Sequence, residues 1–309
     1  VSVTEHAQEE FTFSLPWRAT VYSESEEVAL GNKSNIPAEQ ITINSREPFS
    51  MYAGKKGSYQ LDLKLFGVIQ FKNIQVDVVD TTRLIPCGSP VGIYLKSKGI
   101  MVIGTGRITG ENGMEMEPAV GKLKSGDYIE AFNGQKLGTK EELAEAVSHF
   151  QGENVTLTVR RNGAETQVKI KPVKGTDGSS KLGVWVRDDT QGIGTVTYMD
   201  LNGKFGALGH GISDSDTGEL VETSGGNLYD TQILGIEKGK IGTPGMLSGV
   251  IYYGPKSEIG TVTENTDYGI FGTVSQTFLK EHRTASMEAA RRQEVKTGPA
   301  LVRTSISGQ

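Results

Sequence analysis

Residues 193–210 read IGTVTYMDLNGKFGALGH: two strand-like runs, Ile193 to Tyr198 and Phe205 to His210, on either side of Asn202-Gly203. Asn-Gly between such runs is a strong hairpin signal, because these residues accept the left-handed backbone of a tight turn. The stretch therefore predicts a β-hairpin with His210 at the end of its second strand, where Gly209 and Gly211 leave space around the ring. The same reading extends in both directions. Tyr59 to Leu65 and Ile74 to Val78 alternate apolar and polar side chains, as a half-buried strand does. Val155 to Val159 and Thr166 to Ile170 flank a second Asn-Gly, at Asn162-Gly163. Forty glycines lie between runs of Val, Ile, Thr and Tyr, the composition of turn-rich β domains, so the fold class expected is mostly β.

The 309 residues are enough for two or three domains. Three are expected: a small β domain over 1–83, an α+β unit over 84–174, and a third unit over 175–309 that begins at the Gly175–Lys181 linker. The middle unit holds one well-marked helix. Thr139 with Glu142 forms a capping box, Leu143, Ala144, Val147 and Phe150 share a face, and Gly152 ends the pattern. Charges are mixed along the chain, with 32 basic and 37 acidic residues and a net charge of -5, so nothing points to nucleic acid or an anionic membrane as partner. Cys87 is the single cysteine, which excludes an internal disulfide and a cysteine metal cage. The ends, VSVTEHAQEEF and LVRTSISGQ, read as cuts within a longer protein, with strand edges left unpaired around Val302 to Ser307.

An imidazole near neutral pH takes and returns a proton, as a serine nucleophile requires. Spacing alone leaves His210 open between that role and a structural one. Asp214, Asp216 and Glu219 follow it, but D-S-D-T-G lacks the ligand pattern of a calcium loop, and the cluster reads as a solvated turn. Ser248 lacks the glycine two positions before it that a nucleophile elbow needs, and reads as a loop residue. No metal and no cofactor is expected.

Lys124-Ser125-Gly126-Asp127-Tyr128-Ile129-Glu130-Ala131-Phe132-Asn133-Gly134, followed by the helix and a hairpin, resembles the core of PDZ domains. That family binds an extended peptide as an added strand. The edge expected to receive it is Val91, Gly92, Ile93 and Tyr94; the other reading is a scaffold that only packs against its neighbours. Over nearly its whole length the chain resembles the SpoIVB-type sporulation serine peptidases. The resemblance is carried by Gly206-Ala207-Leu208-Gly209-His210-Gly211-Ile212-Ser213-Asp214, Gly269-Ile270-Phe271-Gly272 and Glu294-Val295-Lys296-Thr297-Gly298-Pro299-Ala300.

The resemblance implies a PDZ domain joined to part of a trypsin-like β-barrel peptidase domain, with His210 as general base. The family's aspartate and serine lie beyond the last of these segments, so this stretch alone is expected to be inactive. It also implies a role in sporulation signalling: cleavage of a protein in a membrane complex, leading to sigma-factor activation. The implied location is secretion across the forespore membrane into the intermembrane space, anchored in the membrane before processing. Expected partners are a protein or peptide substrate and PDZ self-association. The alternative is a noncatalytic PDZ-containing adaptor.

Overall fold

The computed structural model describes residues 1–11, 19–32, 35–38, 40–43, 48–291 and 294–304, and these are mostly β. They fall into two compact units, Val1–Leu84 with Met287–Ala300, and Ile85–Ser286 with Leu301–Gln309. Met287–Ala300 thus groups with the N-terminal unit rather than with the 175–309 stretch in which the sequence places it.

The N-terminal unit is built from two sheets. One has the strand order Ser2–Thr4, Ile69–Val79, Gly57–Leu65, Ala19–Ser23, Gln40–Ile43; the other runs Gln8–Phe11, Phe49–Ala53, Val28–Asn32, Asn35–Ala38. The alternation in Tyr59–Leu65 does what its period requires, sending Leu61 and Leu63 into the core with Val76, Val78, Phe49 and Met51.

In the second unit one strand, Arg83–Thr105, serves two cores. Its first part contributes Ile85, Cys87, Val91, Ile93 and Leu95 to a cluster with Val196, Phe205, Leu228, Val262 and Ile270. Further on, Ile100 and Val102 pack with Ile129, Leu143, Leu157 and Val168. The first cluster fills a closed barrel. Around it run Arg83–Thr105, Val184–Asp200, Lys204–Ala207, Gly269–Val274, Glu258–Thr266 and Thr223–Tyr229, and this last strand pairs back onto the first. Closure uses Gly92 opposite Tyr229 through Ser97 opposite Thr223, antiparallel, with a register shift at Lys96/Ser97.

Glycines make this close approach possible. A Cβ on Gly226 would lie 2.2 Å from the Tyr94 carbonyl oxygen, and one on Gly272 would lie 2.0 Å from that of Thr261. The expectation of open strand edges around Val302 to Ser307 is therefore corrected: the barrel closes on a strand from before the PDZ-like segment. Leu301–Thr304 forms no strand, and Ser305–Ser307 lies outside the described residues.

The PDZ-like segment is inserted between two staves of the barrel. Its helix, Lys140–Ser148, carries the expected capping box, with Thr139 and Glu142 each bonding the other's backbone N–H. Leu143 and Val147 are its buried face. Val155–Arg161 pairs with Ala164–Ile170 over Asn162 and Gly163, both at positive φ, the backbone that a tight hairpin turn needs. The Gly175–Lys181 linker is folded: Val173–Lys174 pairs with Ser180–Lys181.

Candidate functional site

His210 sits just past the strand Lys204–Ala207, on a turn that few sequences can form. Leu208 and Gly209 both have positive φ, which costs a non-glycine residue energy and persists only where the surroundings enforce it. At Gly211 a Cβ would meet Leu220 Cδ1 at 2.2 Å and the Thr266 carbonyl oxygen at 2.5 Å. The glycines around His210 thus answer to close packing as well as to exposure of the ring.

The ring is exposed. Its Nδ1 lies 2.9 Å from the Gly211 carbonyl oxygen. A carbonyl only accepts, so Nδ1 carries the proton and donates, leaving Nε2 as the acceptor of the neutral ring. A cleft beside it is lined by Ile93, Gln191, Ile193, Leu208 and Ile212.

The loop after His210 is held from two neighbouring strands. The Asn265 amide group donates to the Ile212 and Val221 carbonyl oxygens, each at 2.8 Å, and its Oδ1 accepts from the Ile212 N–H at 2.8 Å. Asp214 is buried. It accepts from the Asp216 N–H at 3.0 Å and the Thr217 N–H at 2.9 Å and is ion-paired with Arg187, which also reaches Asp216 at 2.8 Å. Burial alone would raise its pKa; the Thr217 and Asp216 amides and the Arg187 guanidinium outweigh it and hold the carboxyl below the ordinary carboxylate range. Here the sequence reading of a solvated acidic turn is corrected, because Asp214 is the buried anchor of the loop.

Neither Asn265 nor Arg187 was found by sequence reasoning. The only trace of them is that Asp214 needs a cation once buried. Ser248, read as a loop residue, lies instead in the hairpin strand Met246–Ile251.

The expected peptide edge is also corrected. Gly92, Ile93 and Tyr94 pair with Tyr229, Leu228 and Asn227, while Val91 and Ile93 are buried in the barrel core, so this edge is taken by the chain itself. An open groove exists elsewhere in the insert. It has a volume of about 400 Å³ and runs between the helix, at Leu143, Ala144 and Val147, and the segment Leu182–Val186. Trp185 stands at it, 66% exposed.

Past the groove, the N-terminus of the helix is fastened to the same strand. Lys140 Nζ reaches Asp188 at 2.6 Å and Asp189 at 3.2 Å, and the Lys140 N–H donates to Asp188 at 2.9 Å. The hydrogen bond that Lys140 donates to Asp188 is the main reason that its ammonium is held above its ordinary range despite desolvation.

Among the described residues no group of three or more His, Cys, Asp or Glu side chains could hold a metal ion, and no helix is long and apolar enough to cross a membrane. A search of the curated proteins finds no match. Family models do match, in the order that the fold suggests: residues 111–171 the PDZ domain, and residues 178–309 the SpoIVB peptidase S55 family. The first covers much of the insert, including the helix side of its groove; the second covers the strand side of that groove, the His210 turn, its two anchors and most of the barrel. Together the two matches support a SpoIVB-type architecture, a PDZ domain followed by a peptidase S55 domain.

Proposed function

We propose that His210 is the general base of a Ser-His-Asp endopeptidase whose serine and aspartate follow residue 309, as the family resemblance implies. The observation that carries the reading is the placement of the imidazole: exposed at a cleft, on a braced turn, with Nδ1 2.9 Å from the Gly211 carbonyl oxygen, so that the neutral form of the ring presents Nε2 as acceptor. In the triad, Nε2 takes the serine proton during attack on the peptide carbonyl and returns it to the leaving amine, while the aspartate replaces the Gly211 carbonyl at Nδ1. Residues 1–309 alone then bind but do not hydrolyse. The substrate is a protein of a membrane signalling complex, and its cleavage leads to sigma-factor activation. The work is done after secretion across the forespore membrane, with the chain anchored there before processing. The insert takes an extended peptide along Leu182–Val186 against the helix, from the substrate or from a second copy of the chain.

The test is labelling of the natural full-length product by a serine-reactive fluorophosphonate. Wild type is expected to label, and His210→Ala to lose on the order of 10³–10⁶-fold in labelling rate. If wild type fails to label where a control peptidase reacts, the noncatalytic adaptor stands instead.

A further inference from the structure

In the N-terminal unit, outside both matched segments, the hairpin of Gly57–Leu65 and Ile69–Val79 ends in a knob of large apolar side chains. Phe66 is 67% exposed, Val68 80%, Ile69 57% and Phe71 52%. Single exposed apolar residues are ordinary; four at one turn form a patch that marks an interaction site. The turn itself gives a second, independent sign. It is closed by the Val68 N–H to the Leu65 carbonyl oxygen at 3.2 Å, with Phe66 at φ 54 and Gly67 at φ 77. Those dihedrals call for Asn-Gly, and a bulky residue at the first position is strained. Being largely exposed, Phe66 has little packing to offset that strain, so folding of the unit alone would favour asparagine there.

The knob does not depend on its own side chains for its shape. The Tyr22 hydroxyl donates to the Gly67 carbonyl oxygen at 3.3 Å, Lys64 Nζ lies 4.5 Å from the Tyr22 ring centroid, and Leu61 and Leu63 are buried further down the hairpin. Polar groups form a collar below it. Lys64 stands opposite Gln70, and Lys72 opposite Leu63. Asp62, one row lower, is engaged by Gln70 Nε2 at 3.3 Å. Among the described residues of the hairpin, the charges nearest the tip are therefore two lysines, although the whole chain is net acidic.

We infer that this knob docks on an anionic lipid bilayer, with Phe66, Val68, Ile69 and Phe71 entering the interfacial region and Lys64 and Lys72 at the level of the headgroups. The convex tip favours this occupant: a protein partner needs a matching pocket, whereas a bilayer yields to the shape. Phenylalanine, valine and isoleucine suit that boundary by burial of apolar area at the acyl level, and lysine by attraction to anionic lipid.

Flotation of the whole chain with phosphatidylcholine:phosphatidylglycerol vesicles (7:3) tests it. Wild type is expected to float, and less so at high salt. Phe66→Asn and the double variant Val68→Asp/Phe71→Asp are each expected to lose at least about ten-fold in partitioning. Phe66→Asn should at the same time melt about 2–4 °C higher, because asparagine tolerates the left-handed backbone. That opposition separates docking from misfolding. The inference is overturned if wild type does not float, if Phe66→Asn floats as well as wild type, or if Phe66→Asn melts lower. Self-association of the wild type that the tip variants abolish, without flotation, would assign the knob to a second copy and also overturn it.

Discussion

The PDZ-like insert and the barrel that carries it are both small β structures, yet they are held together over very different distances along the chain. In the insert, Thr139 bonds to Glu142 three residues on, and Val155–Arg161 pairs with the strand that follows it across a two-residue turn. Closure of the barrel instead sets Ser97 against Thr223 and Gly92 against Tyr229, with the whole insert lying between the two strands. Local contacts form early and at small entropic cost, while a pairing of this span must wait for the loop to close. An inserted domain thus keeps its own pattern visible and hides the partner of the strand that precedes it.

The comparison breaks most sharply at Ile93. Were Val91–Tyr94 a peptide-binding edge, Ile93→Asp would weaken peptide binding and leave folding largely intact. As a stave, it puts an unpaired carboxylate among Val196, Phe205 and Ile270. The expected loss is at least about 3–5 kcal/mol, seen as disappearance of the barrel's urea transition. By the same logic residues 176–309 expressed alone lack the closing stave and should aggregate, whereas Ile85–Thr304 should be more soluble.

A smaller effect is expected at the braces of the His210 loop. Asn265→Ala removes three part-buried hydrogen bonds and takes from the Ile212 N–H and the Val221 carbonyl the partner that Asn265 gives them, for a loss of about 2–4 kcal/mol. Broadened imidazole resonances of His210 should accompany it. Asp214 adds a pH signature. Its folded pKa is depressed, so its contribution is complete above the ordinary aspartate value, about 3.9, and is lost as pH falls through the lower folded value. Asp214→Asn should lower stability at neutral pH and flatten that acid limb in denaturant titrations at stepped pH.

Smallest is the change confined to the insert. Thr139→Ala removes the N-cap of Lys140–Ser148 and should cost about 1 kcal/mol. Faster amide exchange in that helix, with barrel amides unchanged, would show that the two cores open separately. Equal acceleration in both would mean that the shared strand Arg83–Thr105 couples them.

The sequence by itself determined whatever depends on neighbours along the chain. The Asn162-Gly163 turn follows from two residues that accept positive φ, the helix from its capping box and apolar face, and the sheet faces of the N-terminal unit from a period of two. The His210 motif was legible as a motif, together with the family that it resembles. Only the tertiary structure decided which strand closes the barrel, that Val91 and Ile93 are core rather than edge, and that Asp214 is a buried anchor rather than a solvated turn. It also brought Asn265 and Arg187 to the loop after His210. The physical reason is the same in each case. A strand shows in its own residues which face is apolar, but its backbone N–H and C=O groups are identical at every position. Its partner is therefore chosen by packing and closure of the whole sheet, and so is the company of a lone polar side chain.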